Sequence, residues 1–170
     1  APSTTPRLPT MQRYRASAFH EIDVSFPGLR LVSEEPFIFV VDGFLSSDEA
    51  NQLVEKMAAA PDARPSSEKL LQLGDRDSTS VILRNDEVPG LRHRIAKLAR
   101  CQLAQMPPRK ISRYEPGGVF RRHTDCSRSL GVGDGQKASA SDAARYPNRF
   151  CTVLLYLNDV ERGGRTRWLW

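Results

Sequence analysis

Residues 111–125, ISRYEPGGVFRRHTD, constrain the fold more than any other stretch. Residues 111–114 alternate, Pro116-Gly117-Gly118 makes a turn, and residues 119–125 continue as a strand. On that strand His123 and Asp125 are two positions apart, so both side chains leave one face. A neutral imidazole and a carboxylate on one face supply two of the three donors of the facial site that holds Fe(II). A lone H-x-D tripeptide recurs by chance on surface strands, so its weight comes from the residues around it.

The chain upstream has helical signals. Ser46 with Glu49 three residues later is a capping box, and Ala50, Leu53, Val54 and Met57 follow at the spacing of one helix face. Pro61 is expected to end that helix. A second helix is expected to begin near residues 86–89, with Leu91, Ile95 and Leu98 as its apolar stripe and Pro107-Pro108 as its stop. His93 falls off that stripe between two arginines and reads as solvated; His20 has no ligand-type neighbour beyond Glu21.

Strands are expected at 36–44, a buried run closed by Asp42-Gly43, and at 79–83. Residues 150–157 are apolar enough for a central strand, and Asn158-Asp159 starts a turn. Residues 19–32 alternate weakly, enough for one or two short strands. Residues 1–9 read as a loose terminus and 62–77 as a polar connection. Residues 127–148 lack periodicity, the composition of a lid, a binding loop or an insertion. Helices followed by strands give an α+β chain with helices packed on a sheet. Residues 1–35 read as an N-terminal extension and 36–170 as one domain.

The 170 residues are 39% hydrophobic with mixed charges, which suits a folded domain and not a disordered chain. The net charge of +5 comes from scattered arginines without aromatic–basic stacking motifs, so nucleic acid is a disfavoured partner. Cys101, Cys126 and Cys151 form no C-x-x-C pair and are odd in number, against a disulfide framework or a structural zinc site. One pair could close in an oxidising compartment. No apolar run is long enough to span a bilayer and no secretory leader is visible, leaving the cytoplasm and the endoplasmic reticulum lumen open.

The order of motifs resembles the prolyl 4-hydroxylase type of 2-oxoglutarate- and Fe(II)-dependent dioxygenase. The resemblance runs from about residue 36 to 166. It rests on Tyr114, Pro116-Gly117-Gly118, His123-Thr124-Asp125, Arg149, the TVLLYLN run from Thr152 to Asn158, and Gly163-Gly164-Arg165-Thr166. It implies a double-stranded β-helix, a jelly-roll barrel, buttressed by the N-terminal helices. It implies that His123 and Asp125 bind Fe(II) and are the catalytic pair, and that Tyr114 and Thr152 hold the co-substrate 2-oxoglutarate. Arg149 would line the groove for a peptide or protein substrate. O2 is the second substrate, ascorbate the reductant that sustains the enzyme, and a peptidyl proline the first target. Members of that family carry a second ligand histidine and a Lys or Arg further on. No histidine follows His123 here, and Arg165 stands where the family has glutamate. The resemblance therefore implies a domain incomplete at its C-terminus, whose activity is in question; the alternative is an inactive relative that binds peptides.

Overall fold

The computed structural model describes residues 8–61, 63–65, 76–83, 88–122 and 150–168. His123, Asp125, Cys126 and Arg149 lie outside them, as do residues 127–148.

The first element is a helix, α1 (Leu8–Ser17), beginning where a loose terminus was expected. Pro9 is compatible with it because the first helical turn has no use for that N–H. Tyr14 is buried and meets Phe37 and Phe39 edge-on at 4.9 and 5.0 Å. Both rings stand on β2 (Phe37–Val41), which pairs antiparallel with β1 (Leu29–Glu34). Only the last part of 19–32 is therefore strand. β2 is half-buried along its whole length and not the buried strand its composition suggests. A strand in a two-stranded sheet has one paired edge and one helix to lean on, too little to enclose it.

Helix α2 (Ser47–Ala59) starts as its sequence dictates. Ser46 Oγ accepts from the Glu49 N–H at 3.2 Å, and Glu49 Oε2 accepts from the Ser46 N–H at 2.9 Å. Leu53 and Met57 are its buried stripe, Val54 stays exposed at its edge, and the helix ends just before Pro61.

Helix α3 (Leu91–Leu98) is shorter than expected at both ends. Gly90, at φ 74°, precedes it. At the other end Arg100 takes φ 45°, Arg100 N–H reaches Lys97 O at 3.2 Å and Cys101 N–H reaches Ala96 O at 3.1 Å. This is the two-bond Schellman ending, so the helix closes well before Pro107-Pro108 and a short 3-10 turn (Leu103–Gln105) fills the gap.

Strands β3 (Arg64–Pro65), β4 (Thr79–Leu83) and β5 (Arg109–Arg113) form an antiparallel sheet in that order. Val81 lies opposite Ile111 in the register. Val81, Leu83 and Ile111 are buried with Leu53 and Met57 of α2, Val88, and Leu91 and Ile95 of α3. Two helices thus cover one face of the sheet. Strand alternation sends Ser80, Ile82, Lys110 and Ser112 to the other face, where Ile82 is 60% exposed.

Residues 150–157 are not a strand of any sheet. They keep the alternation of one: Leu155 and Leu157 pack against the core, while Leu154 and Tyr156 are exposed. Apolar content gave the segment its docking side, but a strand also needs a hydrogen-bonding edge, and α2 and α3 already occupy the apolar face. The architecture is mixed α/β with small antiparallel sheets, and no barrel closes among the described residues. No described helix is long and apolar enough to cross a membrane.

Candidate functional site

Among the described residues, the face of the three-stranded sheet turned away from α2 and α3 gathers polar, charged and aromatic side chains. Thr79 pairs with Arg113, and three residues upstream Arg76 bridges to Phe120. Between those two pairings one strand has two residues and the other has six. Six residues cannot lie flat opposite two, so residues 114–119 must loop out. Gly118 N–H to Glu115 O at 2.8 Å closes the loop on itself, and Asp77 N–H to Val119 O at 2.8 Å fastens its far end. Gly117, at φ 85°, makes the tight corner predicted from Pro116-Gly117-Gly118. The loop walls one side of an open groove of about 500 Å³; Arg76, Ser78 and Thr79 line the other.

Arg76 organises this groove. Its Nε donates to Ser78 Oγ at 2.8 Å and its Nη2 to Ser112 Oγ at 2.7 Å. The flat side of its guanidinium lies 4.4 Å from the centre of the Phe120 ring and 5.6 Å from that of Tyr114. Ser78, Ser112 and Tyr114 come to one cation because they share a side-chain parity on two paired strands. Partial desolvation, and then the charge of Arg76, hold the Lys110 ammonium below the ordinary lysine range. The nearby Arg113 is neutralised by Glu115 at 2.9 Å.

Of the residues expected to act, Tyr114 lies beside this groove, between its lining residues Arg113 and Glu115 in sequence, 39% exposed and with Arg76 5.6 Å from its ring centre. Thr152 is exposed on the docked segment 150–157. His123, Asp125 and Arg149 fall outside the described residues; the strand expected over 119–125 is, in its described part 119–122, a single bridge at Phe120 and no strand, because the loop 114–119 breaks the pairing with β4. Among the described residues no three His, Cys, Asp or Glu side chains gather as a metal would need. His93 is exposed, as expected. His20 instead bonds the chain: its Nε2 lies 2.5 Å from Ala99 O, a contact in which the ring must donate.

Arg76 was hidden inside what read as a polar connection. Its one signal is alternation: Arg76, Ser78 and Ser80 precede and enter β4 with a period of two.

A comparison with curated proteins gives the human protein named prolyl 4-hydroxylase subunit alpha-3, 31% identical over 147 residues, which cover 80% of this chain. The two are distant relatives. The chain spans about a quarter of that relative's length. No protein-family model and no solved structure matches significantly.

Proposed function

We propose that this chain is a 2-oxoglutarate- and Fe(II)-dependent dioxygenase domain of the prolyl 4-hydroxylase type, hydroxylating a peptidyl residue, with proline the first target. The observation that carries it is Tyr114. Its ring is fixed by an arginine beside an open groove, nine residues before His123, and the chain is distantly related to a prolyl 4-hydroxylase subunit.

The donors available suit the groups this reading requires. His123 and Asp125 are the nitrogen and oxygen donors that Fe(II) takes in a facial site. Bound together, Fe(II) and 2-oxoglutarate supply the oxidising power that turns O2 into a hydroxyl group on substrate carbon, with ascorbate keeping the iron reduced. The protein's own share is placement. Tyr114 would hold the far carboxylate of 2-oxoglutarate through its hydroxyl, and Thr152 would offer a second hydroxyl. The cations Arg76 and Lys110 bias the same face of the sheet toward a dianion. Arg149 belongs to the peptide side. Helices α2 and α3 packed behind β4 and β5 suit a jelly roll buttressed from outside, whose open face would be the barrel interior.

The test is succinate formation from 2-oxoglutarate with Fe(II) and ascorbate, run on this chain and on a His123→Ala variant. Turnover by the first alone is expected; equal background from both would leave the groove as a peptide-binding surface. Calorimetry with Mn(II) and 2-oxoglutarate reads assembly of the site independently of turnover.

A further inference from the structure

A series of contacts starting at the end of α3 brings two of the three cysteines together. The Schellman ending leaves Cys101 just beyond Arg100, held by its N–H on Ala96 O. The Ala99 carbonyl, two residues before it, takes the Nε2–H of His20 at 2.5 Å. The His20 ring lies 4.0 Å from the Phe150 ring, tilted by 37°. The His20 side chain thus touches both the Ala99 carbonyl and the Phe150 ring, and the next residue of the docked segment is Cys151. Tyr14 closes the neighbourhood from α1: its hydroxyl donates to His20 O at 3.1 Å and accepts from the Ile22 N–H at 3.0 Å. Desolvation, with the Cys101 sulfur adding to it, pushes the Cys151 thiol up, and desolvation likewise raises the Tyr14 phenol, with Cys151 a lesser cause. Cys101 is half-exposed and Cys151 exposed, so solution reagents reach both.

We propose that Cys101 and Cys151 are an intrachain disulfide site, closed by an oxidant of the low-molecular-weight disulfide class. Cys151, the more exposed of the two residues, attacks such a disulfide in its thiolate form; one small thiol leaves and a mixed disulfide remains. Cys101 then attacks the Cys151 sulfur and expels the second small thiol. One S–S bond forms within the chain, one is broken in the reagent, and the two thiol protons and two electrons end on the released thiols. The bond joins the end of α3 to segment 150–157, one residue from Thr152, and fixes where that segment lies on the core. The site stands apart from the proposed dioxygenase activity and survives its failure.

The experiment equilibrates the chain, and a Cys126→Ser variant, with oxidised glutathione, alkylates remaining thiols, and maps peptides by mass spectrometry. The expected result is one cross-linked peptide joining Cys101 to Cys151 in both proteins. In the variant no free thiol is left to alkylate, and its unfolding midpoint in urea is higher oxidised than reduced. A glutathione adduct that persists on Cys151 in the variant, alkylation of both its sulfurs, or a wild-type bond to Cys126 would overturn the proposal.

Discussion

Arg76 reaches across the three-stranded sheet and donates from Nη2 to Ser112 Oγ at 2.7 Å, joining the start of β4 to the end of β5. The same guanidinium donates to Ser78 and lies against Phe120, so one side chain fixes both ends of the loop that bears Tyr114. Lysine cannot replace it, because a point charge makes neither the fork nor the stack. Arg76→Lys is expected to lose about 1–3 kcal/mol in urea unfolding. It is also expected to weaken 2-oxoglutarate binding in the presence of Mn(II) by roughly tenfold. Ser112→Ala, which removes one acceptor, should do less of each. Calorimetry on both variants checks the ranking, and unchanged co-substrate affinity in Arg76→Lys would detach Arg76 from the site.

Gly118 tests the loop from the other side. A Cβ there would sit 2.9 Å from Asp77 O and 3.0 Å from Glu115 O, both backbone atoms: Glu115 O accepts from the Gly118 N–H, and Asp77 is fastened through its own N–H to Val119 O. Gly118→Ala should cost about 1–3 kcal/mol by overpacking. It should also reduce any activity that depends on Tyr114, since the loop must shift. Gly117→Ala clashes with nothing, and its penalty comes only from φ 85°. Denaturation midpoints for the two variants, measured beside 2-oxoglutarate affinity, separate the contributions: Gly118→Ala is expected to lose more affinity than Gly117→Ala.

What the sequence shows best is what local chemistry decides. The Ser46–Glu49 capping box, the Leu53 and Met57 stripe, β4, β5 and the turn at Gly117 are each encoded within a few residues, and each is found in place. The misreadings share a cause. Residues 150–157 have strand composition, but a strand is made by its partner's edge. Helix α3 stops at Arg100 because of a backbone reversal that no proline announces. α1 is not signalled by its sequence because its start, Leu8-Pro9-Thr10, and the polar residues after it give little amphipathic pattern. Tyr114 was legible at the candidate site because it precedes a motif, whereas Arg76 was not, because only the β4–β5 register brings it there.

Glu49 holds two helices at once. While capping α2 it accepts from Arg94 of α3 at 2.7 Å through Oε1 and at 3.2 Å through Oε2. The Arg94 hydrogen bonds, followed by that from Ser46, hold its carboxyl below the usual range. A depressed carboxylate stabilises the fold above its unfolded value and loses that contribution as pH falls through the folded one. Glu49→Gln is therefore expected to cost roughly 1–2 kcal/mol near neutrality. The gap from wild type should narrow steadily once pH drops below about 4. Urea titrations of both proteins across that range check it, and a gap independent of pH would mean that Glu49 acts only as a neutral cap.

Segment 150–157 offers the sharpest contrast because neighbouring leucines should behave oppositely. Leu155 and Leu157 lean on the cluster built from α2, α3, β4 and β5, while Leu154 is 55% and Tyr156 66% exposed. Leu157→Ala should therefore destabilise by about 1–3 kcal/mol, less than a fully buried leucine because its site is only partly enclosed. Leu154→Ala should stay within roughly 0.5 kcal/mol. Tyr156→Phe forfeits the 2.6 Å bond to Thr166 Oγ1 and, being exposed, should cost no more than about 1 kcal/mol. If the urea midpoints of Leu154→Ala and Leu157→Ala coincide, the segment that carries Thr152 does not dock by alternate side chains.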